Sequence, residues 1–82
     1  MQQKKLTKTE IRNLAMKLGL TEKEIQVVEL LCREFSSPEI AEKLNLSRRT
    51  IEGRRDKILL KTKSRNVVGI VKYAIKNKIY RI

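Results

Sequence analysis

Eight basic side chains fall within residues 47–65, at Arg48, Arg49, Arg54, Arg55, Lys57, Lys61, Lys63 and Arg65, against two acids, Glu52 and Asp56. Guanidinium and ammonium groups at that density suit phosphate, which they bind through charge-assisted hydrogen bonds with release of counterions. If the stretch is helical, Arg49, Glu52, Gly53 and Asp56 stand at i, i+3, i+4 and i+7 and share one face, opposite Ile51 and Ile58. Catalytic chemistry has no comparable constellation. The chain has no His, one Cys and no Gly-rich phosphate loop, so neither a nucleophile–base pair nor a zinc site can be assembled. The expectation is a binding protein with no cofactor and no metal, not an enzyme.

Those side chains need a helix to carry them and a second one to set its angle. Ser47 is placed to cap a helix over 47–62 whose inward residues are Ile51, Ile58 and Leu59. Before it, Ser37 is predicted to cap a short helix over 38–44, with Pro38 at the first helical position, where its missing N–H is harmless. Ile40, Ala41 and Leu44 give that helix a narrow apolar face, and Asn45 and Leu46 make the turn. A short helix, a tight turn and a longer basic helix form the arrangement that enters a DNA major groove.

The 82 residues suffice for one modest core, which must be aliphatic because aromatic content is 4% and there is no Trp. A formal charge of +11 calls for a polyanionic partner, nucleic acid or an acidic membrane surface. The charge is unevenly spread: residues 20–46 are net acidic, and the excess is greatest over 47–65. The lone Cys32 fits a reducing cytoplasm and is most simply a small core residue. No apolar run reaches membrane-spanning length and the start lacks a signal-peptide core, so a soluble, intracellular protein without a membrane partner is expected. No small-molecule site is evident.

A local pattern occurs three times, at Leu6-Thr7…Ile11, Leu20-Thr21…Ile25 and Leu46-Ser47…Ile51. Each pairs a hydroxyl cap with an Ile that can staple onto the Leu before it, and the first two add a Glu that completes a capping box. The predicted helices are therefore 7–18 (inward Ile11, Leu14, Ala15, Leu18), 22–34 (Ile25, Val28, Leu31, Cys32), 38–44, 47–62 and 66–77 (Val67, Ile70, Val71, Ala74, Ile75). Helical spacing outweighs the strand-favouring β-branched residues of the last. Met1–Lys5 reads as a tail whose Lys4 and Lys5 add weak attraction to DNA.

From Leu20 to about Ile79 the chain resembles the LuxR/FixJ/NarL-type, or GerE-like, helix-turn-helix domain. The matching residues are Leu20-Thr21-x-x-Glu24-x-x-Val27-x-x-Leu30, Ser36-x-x-Glu39-Ile40-Ala41-x-x-Leu44-x-x-Ser47-x-x-Thr50-Ile51, Ile58-x-x-Lys61, Ser64-Arg65 and Val71-x-Tyr73-Ala74. The resemblance implies an all-α fold, a tri-helical core plus a C-terminal helix over 20–82. Residues 1–19 form a tail and an extra N-terminal helix or linker. It also implies a bacterial, cytoplasmic, nucleoid-associated regulator of transcription, as in response-regulator output domains. Four departures stand out: Arg54 where His is common, Glu34 for a frequent Gly, Thr62-Lys63 for a common Leu-Gly, and Glu52 where a basic residue often contacts DNA.

By the same resemblance the helix over 47–62 enters the major groove and its Arg49–Glu52–Gly53–Asp56 face meets base edges. Arg49 would pair bidentately with guanine, and Glu52 and Asp56 would accept from a cytosine amino group. A plainer reading stands beside it: Glu52 and Asp56 as i,i+4 partners of neighbouring cations, and Gly53 as a small surface residue. Ser37, Ser47, Arg48, Thr50, Arg54, Arg55, Lys57, Lys61, Lys63 and Arg65 are the expected phosphate binders. For Ser37 simple capping is the alternative, for Arg55 a snorkelling stem, and for Arg65 a tie between loop and second helix. The resemblance implies a homodimer through Val67, Ile70, Val71 and Ala74 of the last helix, though core packing competes for each. The partner is then double-stranded DNA, bound as inverted or direct repeats. A sigma-factor region-4-like module, with RNA polymerase as main partner, is the rival that the Thr50-Ile51…Lys61 pattern and trailing helix fit less well. RNA recognition would need exposed aromatic platforms that the chain almost lacks.

Overall fold

The computed structural model describes residues 7–81, so the expectations for the Met1–Lys5 tail and for the Leu6 staple lie outside the described residues. Five helices follow one another: α1 (Lys8–Lys17), α2 (Glu22–Cys32), α3 (Ser37–Leu44), α4 (Arg48–Thr62) and α5 (Val67–Lys76). Among the described residues there is no strand, and the architecture is the expected all-α one with an extra N-terminal helix. None of these helices is long and apolar enough to cross a membrane.

Helix α4 packs against α2, α3 and α5, and the hub helix α2 in turn packs against α1, α4 and α5. Contact on several sides explains why α2 buries Ile25, Val27, Val28 and Leu31 together with the carboxylate residue Glu24, a wider arc than the expected stripe. The core closes around them with Ile40 and Ala41 of α3, Ile51 and Ile58 of α4, and Ile70 and Ala74 of α5. Helix α1 touches this core from one side only. Of its four expected inward residues only Ala15 is buried, while Leu14 and Leu18 remain about two-fifths exposed.

Local hydrogen bonding sets where each helix begins. Thr7, Thr21 and Ser47 are N-caps, and the Thr7–Glu10 and Thr21–Glu24 boxes form as expected. The start of α3 differs from the sequence reading. Ser36, not Ser37, is the cap, and its hydroxyl accepts from the Glu39 N–H while the Glu39 carboxylate accepts from the Ser36 N–H at 2.9 Å. A full box satisfies two orphan donors where Ser37 would satisfy one, and the shift moves Ser37 into the first turn, 5% exposed.

All five helices also stop in one way. A single residue with positive φ follows each: Gly19 (92°), Glu34 (70°), Asn45 (54°), Lys63 (54°) and Lys78 (61°). The next N–H then reaches back five residues, Leu20 to Ala15, Phe35 to Leu30, Leu46 to Ala41, Ser64 to Leu59 and Ile79 to Ala74. This is the Schellman closure, which favours glycine because a Cβ crowds the left-handed conformation. Glu34 and Lys63, two of the departures noted above, hold it without glycine, and Glu34 ends α2 at Cys32, two residues earlier than expected. Replacing the exposed Glu34 by Gly should therefore raise stability by about 0.5–1 kcal/mol, offset in part by the freer unfolded chain. Thermal unfolding should show a rise of several degrees in Tm.

Candidate nucleic-acid interface

Helix α4 touches the core through little of its surface. Of its fifteen residues only Ile51, Ile58 and Thr62 are buried, with Leu59 half-buried. Ile51 and Ile58 stand seven residues apart on one line, so this seam fixes which way the opposite face looks. That face carries Arg49, Glu52, Gly53 and Asp56, all exposed. A Cβ built on Gly53 would meet nothing within 4 Å, so the helix backbone is bare between its long neighbours.

Polar ties hold α4 near its C-terminal end and at its middle. Near its C-terminal end, the Lys61 ammonium reaches the Glu24 carboxylate at 2.7 Å. Glu24 also accepts from the Thr21 N–H at 2.8 Å, so one buried carboxylate both caps α2 and holds α4. Burial pushes its pKa up, but the Lys61 hydrogen bond and charge and the Thr21 bonds outweigh this and hold it below the ordinary carboxylate range. In the middle of α4, Arg55 is half-buried and donates to the Ser37 hydroxyl of α3 at 2.9 Å. Two residues expected to meet phosphate are thus already engaged within the fold. The Ser37 hydroxyl is enclosed and already accepts from Arg55, and the Lys61 ammonium serves a buried carboxylate. Arg55 is likewise partly committed, its stem against α3.

Other groups stay at the surface. Arg48 Nε donates to Glu52 Oε1 at 3.0 Å across one exposed turn, the i,i+4 pairing named as the plainer reading of Glu52. The Ser47 hydroxyl accepts from the Thr50 N–H and lies 2.8 Å from the Thr50 hydroxyl, so both belong to the exposed first turn of α4. Among the described residues Arg49, Arg54, Asp56, Lys57, Lys63 and Arg65 make no ion pair or side-chain hydrogen bond. For Arg65 this removes the expected alternative of a tie to the second helix. Lys63 and Arg65 lie in the loop between α4 and α5, which presses against α5. A Cβ on Gly69 would come within 2.8 Å of Ser64 Cβ.

The dimerisation set divides. Ile70 and Ala74 are 0% exposed and pack in the core, so they have no surface to offer a partner. Val67 and Val71 are half-buried. The outward apolar residues of α5 are Val68 and Ile75, two turns apart on one line, and of these only Ile75 was read as apolar facing inward. Cys32 is half-buried; burial, with a smaller push from the Glu29 carboxylate, raises its thiol to about 11, so it stays protonated near neutrality.

A capped short helix, a three-residue turn and a basic helix seated by one narrow seam define a helix-turn-helix DNA-binding domain. The family model described as bacterial regulatory proteins, luxR family, matches residues 18–74, and the chain belongs to that family. It is 33% identical over 69 residues to a probable transcriptional regulator, ycf29, of Cyanophora paradoxa, across 84% of this chain and 33% of the relative. It is 32% identical over 60 residues to the oxygen regulatory protein NreC of Staphylococcus carnosus, across 73% of this chain and 28% of the relative. NreC of Staphylococcus aureus strain USA300 matches to the same extent. The chain thus spans about a third of the length of these relatives. No solved structure matches it significantly.

The Glu24–Lys61 pair makes a prediction with a definite sign. Because the folded-state pKa of Glu24 is depressed, its contribution to stability is present above the ordinary value of about 4.3 and is lost as pH falls through the folded value. Lys61→Met, which strands the carboxylate, should lower stability near neutrality by about 1–3 kcal/mol. Urea unfolding from about pH 6 to pH 3 should then show a smaller further loss for the variant than for the parent.

Proposed function

We propose that this domain recognises specific sequences in double-stranded DNA by laying α4 in the major groove, and that it does so as a dimer to regulate transcription. The observation that carries the reading is the division of labour around α4. Its buried side is a thin aliphatic seam, and its exposed side presents Arg49 and Asp56 free of internal partners. Phosphate would be met by the free cations Arg54, Lys57, Lys63 and Arg65, by Arg48, and by the hydroxyls of Ser47 and Thr50 at the helix start. Arg55 would add charge from a half-buried stem.

On the groove-facing line, Arg49 suits the O6 and N7 of guanine and Asp56 suits the amino group of cytosine. Glu52 is better employed in orienting Arg48. Its i,i+4 pair, exposed at both ends, is worth only a few tenths of a kcal/mol and yields readily to a phosphate. We take residues 20–82 as the unit that binds DNA. The dimer contact would use Val68 and Ile75, with Val71 between them, in place of Ile70 and Ala74.

Two measurements test the reading. Affinity for duplex DNA should fall with salt at a log–log slope of roughly −5 to −8, as for a dimer meeting about 6–9 phosphates. A flat response would remove the phosphate assignments. In selection from a random duplex pool, Arg49→Ala should relax preference at one base position per half-site, whereas Lys57→Ala should weaken all sequences alike. Equal weakening of every sequence by Arg49→Ala would contradict its base-reading role.

A further inference from the structure

Leu60 is the most exposed large hydrophobic residue among those described, at 80%. A single exposed leucine is ordinary on a protein surface, so exposure alone says nothing. Its position does. Eleven residues after Arg49, at about 100° per residue, Leu60 returns to within about 20° of the same line, and it stands one turn beyond Asp56. It therefore continues the exposed Arg49–Gly53–Asp56 row. Its neighbours are Lys57 one turn before and Lys63 in the following loop, both without internal partners. An apolar pocket on a protein would have to accept those cations as well, whereas a duplex offers phosphates beside an apolar groove feature.

That feature is the C5 methyl of thymine, the apolar group the major groove displays. The bare backbone at Gly53 lets the helix come close, which a short aliphatic side chain needs in order to touch the groove floor. We infer that Leu60 is a specificity residue that reads thymine by its methyl, about two base-pair steps beyond the base met by Asp56. The inference rests on the proposed seating of α4. It adds that α4 lies along the groove for its whole exposed length, rather than entering by its first turns alone.

The experiment uses the 82-residue chain and a duplex that it selects from a random pool. Each thymine in that duplex is replaced in turn by deoxyuridine, which deletes only the methyl group. At one position per half-site the parent should lose about fourfold in affinity, the worth of one buried methyl. Leu60→Ala, a change that favours helix on an exposed face, should bind the thymine and deoxyuridine forms equally there and keep the parent's salt slope. The inference is overturned if every replacement affects both proteins alike. It is overturned equally if Leu60→Ala alters self-association or protein binding while the methyl effect persists. Failure of the parent to select any duplex would remove the seating of α4 itself, and the inference with it.

Discussion

The seam formed by Ile51 and Ile58 is the contact on which the rest of the molecule depends. A helix that offers most of its circumference to a polyanion has little apolar surface left with which to dock. Helix α4 keeps only these two isoleucines and Thr62 away from water. Two buried isoleucines supply a few kcal/mol at most, about 1.5–3 each. Half-buried Leu59 adds to them, and the narrowness of the contact leaves room for other groups to fix the orientation of the helix.

Polar ties add to the apolar seam. Lys61 joins Glu24, Arg55 joins Ser37, and the Thr62 hydroxyl donates to the Ile58 carbonyl at 2.8 Å while facing the Ser64 hydroxyl. Ion pairs of this kind add less net stability than apolar packing, since desolvation offsets their attraction, but they accept only one geometry. The Glu24 carboxylate is shared between the cap of α2 and the end of α4. The hub helix and the basic helix therefore share one polar group in addition to their apolar packing. Among the described residues no buried side-chain nitrogen or oxygen lacks a hydrogen-bond partner. The polar ties are thus complete, as a partly satisfied set would not be.

Much of this was legible in the residue order, because caps and apolar spacing are local. Thr7, Thr21 and Ser47 announced three helix starts, and the fold class followed. At α3 the Ser36-x-x-Glu39 spacing is that of a capping box, and it outranks a serine whose only recommendation is a following proline. The site was half legible. Spacing placed Arg49, Gly53 and Asp56 on one exposed face. It did not reveal that Lys61 and Ser37 were already engaged, because their partners lie 37 and 18 residues away. Leu60 sits on the Arg49 line by spacing alone, but only the packed fold shows that it stays in water. On α5, periodicity grouped Ile70 and Ala74 with the half-buried valines and could not say which side the core would take.

Taken alone, the amino-acid order determined what depends on near neighbours: five helices, the caps of three of them, a basic fourth helix and the acids set within it. Tertiary structure decided what depends on distant ones. It chose which cations are free for a partner and which are consumed, and it turned Val68 and Ile75 of α5 outward. It also left Leu60 exposed to solvent. The reason is geometric. A helix fixes the angles between its own side chains within a turn or two, but which of those angles meets solvent is settled only when α2, α4 and α5 close on one another.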